Sequence, residues 1–487
     1  MFRMVKLFFI EELRLRSSFS TSLSLLIFPE FILIGALSGY IFLPILEGSI
    51  TYPQVHLSVL SGLFFFGISM GGIAFLGKEF LERSLGPVNM LAASSTYQPV
   101  GQRRMYFAYF LHDALFYIML VLAPTTAGLA LGTIIRPIPL DRFILISASQ
   151  WASFLLGLSL SLSVSSAVGA GRRRALAYAP LSVIPLLLLP LSTGRLEAFL
   201  PQYMAVLDGS WIWLLITFGL SAFYISMGIL LFSGVDESYD RKKPGDYGFL
   251  FRLMSGTFKD PVYSALAARE LINLLRGKAY VRISFSLFFP LIVMGGLVGF
   301  LQVFGSNAID FNMPFFAVMI SFFTMSVYTH LTNMDYLDYD QTIPVRTSDL
   351  VRVKVWVYLM ISLPLAVVIL MVIALIRGDL RGLFFSLPLV IVMVPYMGFV
   401  TAYLTGLWTN SMLFDASVFL RYMALTVGPL MFATLLSFLM DRILWISIFG
   451  LALIMLSGAV STWIMARSLD EKWKETVLSS AGGMRGD

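Results

Sequence analysis

The residues of this chain that could do chemistry are few and scattered. Its three histidines, His56, His112 and His330, fall in three separate apolar segments, and it has no cysteine. A zinc centre needs three or four His, Cys or carboxylate ligands brought to one point, and that spacing is missing. The absence of cysteine removes disulfides, thiolate metal sites and a cysteine nucleophile, and leaves the redox compartment open. Asp335, Asp338 and Asp340 offer oxygen ligands suited to a hard cation. They lack the glycine turn and spacing of a calcium loop, and read as a solvated or partner-facing patch. His112 and Asp113 adjoin at the start of an apolar run, two ligands where a metal wants more. No serine sits in a G-x-S-x-G turn. Gly277-Lys278 is followed by Ala279 and lacks the upstream glycine of a phosphate-binding loop, so it cannot cradle phosphates. The expectation is a chain with no catalytic residue, no metal site and no cofactor of its own.

The elements that must position these residues are membrane helices. The composition is 58% hydrophobic and 13% charged, with a mean hydropathy of +0.84, far more apolar than one soluble core can hide. Apolar runs of about 20 residues recur, each long enough to cross a hydrocarbon layer of about 30 Å as a self-satisfied helix. The expected spans are 19–43, 57–77, 105–133, 143–168, 175–191 and 211–233, then 283–304, 313–330, 355–376, 383–405, 422–438 and 443–465. The expected fold is therefore an all-α integral membrane protein of about twelve transmembrane helices in two six-helix repeats. The repeats are 1–234 and 261–487, joined by a cytoplasmic linker, 235–260. Pro180, Pro185 and Pro190 are expected to break the fifth span. With the apolar outer loop Arg195 to Tyr203, they suggest a re-entrant segment.

Loops rich in Lys and Arg stay cytoplasmic. With the N-terminus inside, 28 of the 34 basic residues fall on the inner side, leaving Arg136, Arg142, Arg195, Arg377, Arg381 and Arg442 outside. Both termini are therefore expected in the cytoplasm of a multi-pass cell-membrane protein. The same bias accounts for the net charge of +6 without a nucleic-acid role. Glu30 stands in the first span, where an ionised carboxylate in lipid costs roughly 2.5 to 3.5 kcal/mol. It should face protein or water and is a possible pathway residue.

Each half opens with an amphipathic basic segment, Met4 to Ser17 (with Glu12, Arg14 and Arg16) and Pro261 to Arg282 (with Glu270 and Arg276). Apolar groups on one face and basic groups on the other suit a helix lying along the bilayer surface. The spans that follow both carry Phe-Pro and then Gly-x-x-x-Gly, at Gly35 and Gly39 in one and Gly295 and Gly299 in the other. Duplication would explain the match, and glycines so spaced permit close helix contact.

The loop entering the ninth span reads Pro344-Val345-Arg346-Thr347-Ser348-Asp349-Leu350-Val351-Arg352-Val353-Lys354. This resembles the cytoplasmic loop of ABC type-2 transporter permeases, Pro-Val, several polar residues, then Leu-x-x-x-Lys. The first half's loop is similar to another part of that pattern, with Glu82-Arg83-Ser84-Leu85-Gly86, Leu91-Ala92 and Pro99-Val100. It has extra residues between Gly86 and Pro99, and Tyr109 stands where a basic residue would fall. The resemblance implies a fused pair of permease units, an exporter, whose path the two units form. ABC ATPase subunits, as two copies or a heterodimer, would bind ATP and Mg and supply the energy. It also implies contact with those subunits through Glu82, Arg83, Gly86, Pro99, Pro344, Val345, Leu350 and Lys354, and through the interfacial helices. Glu82, Arg83 and Lys354 would offer charge to a partner's groove. The alternative is a twelve-helix secondary transporter driven by an ion gradient, which wants ionisable groups deep in its spans. A membrane scaffold or enzyme is the third.

Overall fold

In the computed structural model the chain is helical throughout the described residues. These are chiefly 24–46, 52–72, 102–232, 247–276, 311–333, 345–407 and 416–474, with a few near 5–10 and 283–298. Nine of the described helices are long and apolar enough to cross a membrane.

The chain divides into two compact units. The first is Met1–Ser18, Leu25–Tyr239 and Val293–Ala308; the second is Phe19–Ser24, Asp240–Ile292 and Ile309–Asp487. The first contains α1 (Ser24–Leu46), α2 (Tyr52–Gly72), α3 (Gln102–Tyr117), α4 (Ala123–Ile135), α5 (Leu140–Gly169), α6 (Arg172–Thr193), the short α7 (Pro201–Asp208) and α8 (Trp211–Leu231). A π turn, Ile118–Leu122, joins α3 to α4 into one rod, and the Ala123 N–H donates to Ile118 O. Pro124, just beyond it, has no N–H to donate, and a wider turn there eases the fit of its ring.

α5 is the axis of this unit. Gly67 on α2 and Gly157 on α5 let the two backbones touch, since a Cβ on either would strike the other helix's main chain. Leu57, Leu60, Phe64, Leu156 and Tyr224 fill the space around that crossing. Gly128 on α4 serves likewise against Leu33 and Leu37 of α1. The glycines expected to make close contact, Gly35 and Gly39, have nothing within 4 Å where a Cβ would sit, and neither does Gly295. Glycine spacing marks helices able to approach closely; what faces the glycine depends on helix rotation, which the spacing leaves open.

α6 also departs from expectation, because it runs unbroken through Pro180, Pro185 and Pro190. Each proline removes one ladder bond. Unwinding the segment in hydrocarbon would orphan many more backbone groups, so the helix continues. The connection between α6 and α8 is largely buried. A 3₁₀ turn at Leu196–Phe199 leads into α7, whose Pro201, Gln202, Tyr203, Met204 and Ala205 are all buried against α2, α5 and α8.

The second unit contains α9 (Gly248–Thr257), α10 (Pro261–Arg276), α11 (Met313–Asn333), α12 (Thr347–Arg377), α13 (Leu380–Thr405), α14 (Ala416–Leu439) and α15 (Leu444–Trp473). α13 is its centre, with α11, α12, α14 and α15 around it. α9 occupies 248–257 of the stretch read from sequence as linker. It packs on α10 through Leu250 and Met254. Its short apolar stripe is too brief to span a membrane, which is why the stretch reads as hydrophilic.

Candidate functional site

The most polar buried assembly in the described residues lies where the loop with the Pro-Val signature enters the membrane. α12 starts at Thr347, and Leu350 and Lys354 fall on its first two turns, facing inward at 3% and 1% exposure. α10 lies against these turns because Leu266, Ala267, Ala268 and Leu274 form one apolar face, a stripe at helical spacing. Glu270 shares that face and is 3% exposed. Its Oε2 accepts a hydrogen bond of 2.9 Å from the Lys354 Nζ, which also donates to Leu331 O of α11 at 2.9 Å.

Two turns toward the start of α10, the Tyr263 hydroxyl donates to Asp349 Oδ1 at 2.7 Å and accepts from the Arg352 guanidinium at 3.3 Å. Burial is the main reason the Tyr263 hydroxyl holds its proton above the ordinary tyrosine range, and donation to Asp349 adds to it. Arg352 also bonds Asp470 near the end of α15. The helices α10, α11, α12 and α15 are therefore tied at one end by a single polar clasp. Beside it opens a cavity of about 470 Å³ lined by Phe258, Asp260, Tyr263, Arg352, Trp356 and Met360.

In the clasp each donor is held by a carboxylate, Tyr263 by Asp349, Arg352 by Asp470 and Lys354 by Glu270. Its strongest element is a charge pair almost free of water. Breaking such a pair by removing one partner costs about 3–5 kcal/mol, because the other charge stays buried. The clasp ties α10 to α11, α12 and α15 immediately behind the residues that precede Thr347.

Lys354 was expected to offer charge to a partner, and the structure corrects that: its ammonium is internal and committed to Glu270. Leu350 is likewise a packing residue. Val345 is half-buried, and Arg346, which precedes α12, is exposed. Arg276 ends α10. Glu82, Arg83, Gly86, Pro99, Pro344, Glu12, Arg14, Arg16 and the acidic cluster Asp335 to Asp340 lie outside the described residues. Glu30, expected to face protein or water, is exposed on α1. His112 contacts Asp113 at 3.2 Å and packs on Phe9 and Phe116. Among the described residues no three His, Asp or Glu side chains converge on one point.

Sequence reading missed Tyr263, Asp349, Arg352 and Asp470 as a set. Asp349 and Arg352 stood inside the loop motif. Asp470 is 118 residues from Arg352, and no spacing rule joins them. It also missed the buried link of the first unit, where Gln202 Nε2 donates to Ser153 Oγ at 3.1 Å and Ser153 donates to Leu60 O at 2.6 Å.

These features define a multi-pass helical membrane protein. The chain matches no protein-family model, no curated protein and no solved structure.

Proposed function

We propose that this chain is the permease subunit of an ATP-binding-cassette exporter, energised by separate ATPase subunits, in the cell membrane with both termini cytoplasmic. The observation that supports this reading most is the clasp. An interfacial helix is bonded to a span at two levels, Tyr263 with Asp349 and Glu270 with Lys354, directly behind a loop with the Pro-Val signature. A loop so backed can pass a partner's movement into the membrane as a rigid-body motion. The buried α7 between the last two spans of the first unit fits the re-entrant segment of that family. ATP and Mg would belong to the partner; two copies or a heterodimer would serve the two units. The ion-gradient alternative draws less support. Among the described residues the only fully buried Asp, Glu, Lys or Arg side chains are Glu270 and Lys354, which pair at one end of their unit, whereas such transporters place ion sites near the bilayer midplane.

The chain's lack of cysteine gives a direct test. A single Arg346→Cys variant carrying a thiol cross-linker should join to an ATPase subunit, and Leu191→Cys, at the other end of its span, should not. Cross-linking from neither position to any nucleotide-binding protein would refute the reading.

A further inference from the structure

The last two helices of the second unit leave a groove that faces outward. It has a volume of about 430 Å³ and is walled by Gly428, Pro429, Phe432 and Leu436 of α14 and by Gly450 and Ile454 of α15. No hydrogen-bonding residue but Ser457 lines it. Gly428 opens its middle, since a Cβ there would meet nothing within 4 Å; its far end is closed where Leu436 packs on Gly450.

Both walls end in a basic residue at the same end. On α14, Arg421 precedes Gly428 by seven residues and Phe432 by eleven; at about 100° per residue all three share a face within about 20°. On α15, Lys472 follows Ile454 by eighteen residues, or about five full turns, so these two also align. Arg421 and Lys472 are both exposed. Lys472 rests on the Tyr403 ring, 3.8 Å from its centroid. Asp470, two residues away and so on the other side of α15, is committed to Arg352. Exposed cations on both walls beyond one end of an apolar groove are complementary to one kind of molecule, an anion with a long apolar tail. The depth agrees. Lys472 lies about 42 Å along α15 from Leu444, a length that matches the roughly 40–45 Å of a bilayer with its headgroup layers.

We propose that the α14–α15 groove is a binding site for an anionic phospholipid, with its phosphate between Arg421 and Lys472 and an acyl chain along Gly428 and Phe432. Placing it in the inner leaflet rests on the orientation proposed above; the chemistry of the site does not. A structural lipid there would neutralise both cations and fill the space Gly428 leaves.

The test is native mass spectrometry of the full-length chain, with palmitoyl-oleoyl phosphatidylglycerol or phosphatidylcholine added at equal concentration. Wild type should retain one phosphatidylglycerol under conditions that strip phosphatidylcholine. Arg421→Gln and Lys472→Gln, both at exposed positions, should each weaken that preference about fivefold, the factor equivalent to about 1 kcal/mol per basic residue near an anionic surface. Gly428→Leu should lower retention of phosphatidylglycerol with both cations intact. Arg381→Gln, at an exposed position on another helix, should change nothing. Equal retention of the two lipids by wild type, or undiminished preference in the Arg421→Gln/Lys472→Gln double variant, would overturn the proposal.

Discussion

The two units solve the same problem, stacking apolar helices in a solvent that gives them no hydrophobic reason to associate, with different materials. In the first, backbone meets backbone: Gly67 and Gly157 bring α2 and α5 into contact, and Gly128 does so for α4 and α1. Tyrosine hydroxyls reach main-chain carbonyls of neighbouring elements in both units, as Tyr224 does to Ser182 O at 2.7 Å in the first, but in the second they gather on the central helix α13. Tyr358 bonds Val394 O at 2.9 Å and Thr324 at 2.8 Å, and Tyr328 bonds Gly406 O at 2.8 Å. Gly398 and Gly450 are bare there so that side chains, the Tyr358 ring and Leu436, can lie against them. The second unit adds the clasp at its basic end. Close backbone contact resists sliding of helices past one another. Side-chain struts and an ion pair instead fix chosen points and leave other sections free to tilt. Under the function proposed above, the unit with the clasp is the one that would take a movement at one end and deliver it along its spans.

Lys354→Ala should break this contrast most severely, because it strands the Glu270 carboxylate. A loss of about 3–5 kcal/mol in the second unit should show in denaturant unfolding followed by limited proteolysis, with the first unit still resistant. The double variant Lys354→Met/Glu270→Leu should recover most of that loss, since a well-packed apolar pair removes both charges from the interior. Next in size is Tyr358→Phe. It removes the cross-helix donor of the Val394 carbonyl, while Thr324 keeps its bond to Ser321 O, and should cost about 1–3 kcal/mol, read as a lowered Tm. Gly157→Ala should cost a similar amount, about 1–3 kcal/mol, in the first unit alone, because its methyl group enters the α2 backbone. The smallest effect serves as control: Gly35→Ala projects into open space and should be neutral or stabilise α1 by about 0.5–1 kcal/mol. Equal losses from Gly157→Ala and Gly35→Ala would show that glycine contact is not what holds the first unit.

Much of this was legible in the chain because lipid makes local rules decisive. Helix must form where apolar runs are long, and the spans read at 143–168, 211–233 and 383–405 fall within a few residues of α5, α8 and α13. The helix at Pro261 was legible from its stripe. What could not be read was rotation about each helix axis. Rotation turned Lys354 from a surface charge into a buried one, left Gly35 and Gly39 facing open space, and gave Gly67 and Gly157 the contact. The continuity of α6 through three prolines was missed for a related reason: propensity measured in water overstates the ease of breaking a helix in hydrocarbon. Asp470, far along the chain from the residues it serves, had no local signature at all.

The claim that matters most is that a separate ATPase drives this chain through its basic end. The most direct measurement is purification of the tagged chain from its native host in mild detergent, with subunits identified by mass spectrometry and ATP turnover assayed on the same sample. The account predicts stoichiometric ATPase subunits and ATP hydrolysis that falls when Pro344 or the Glu82-Arg83 loop is altered. A chain that transports fully with no ATPase bound would contradict it and favour a transporter driven by an ion gradient.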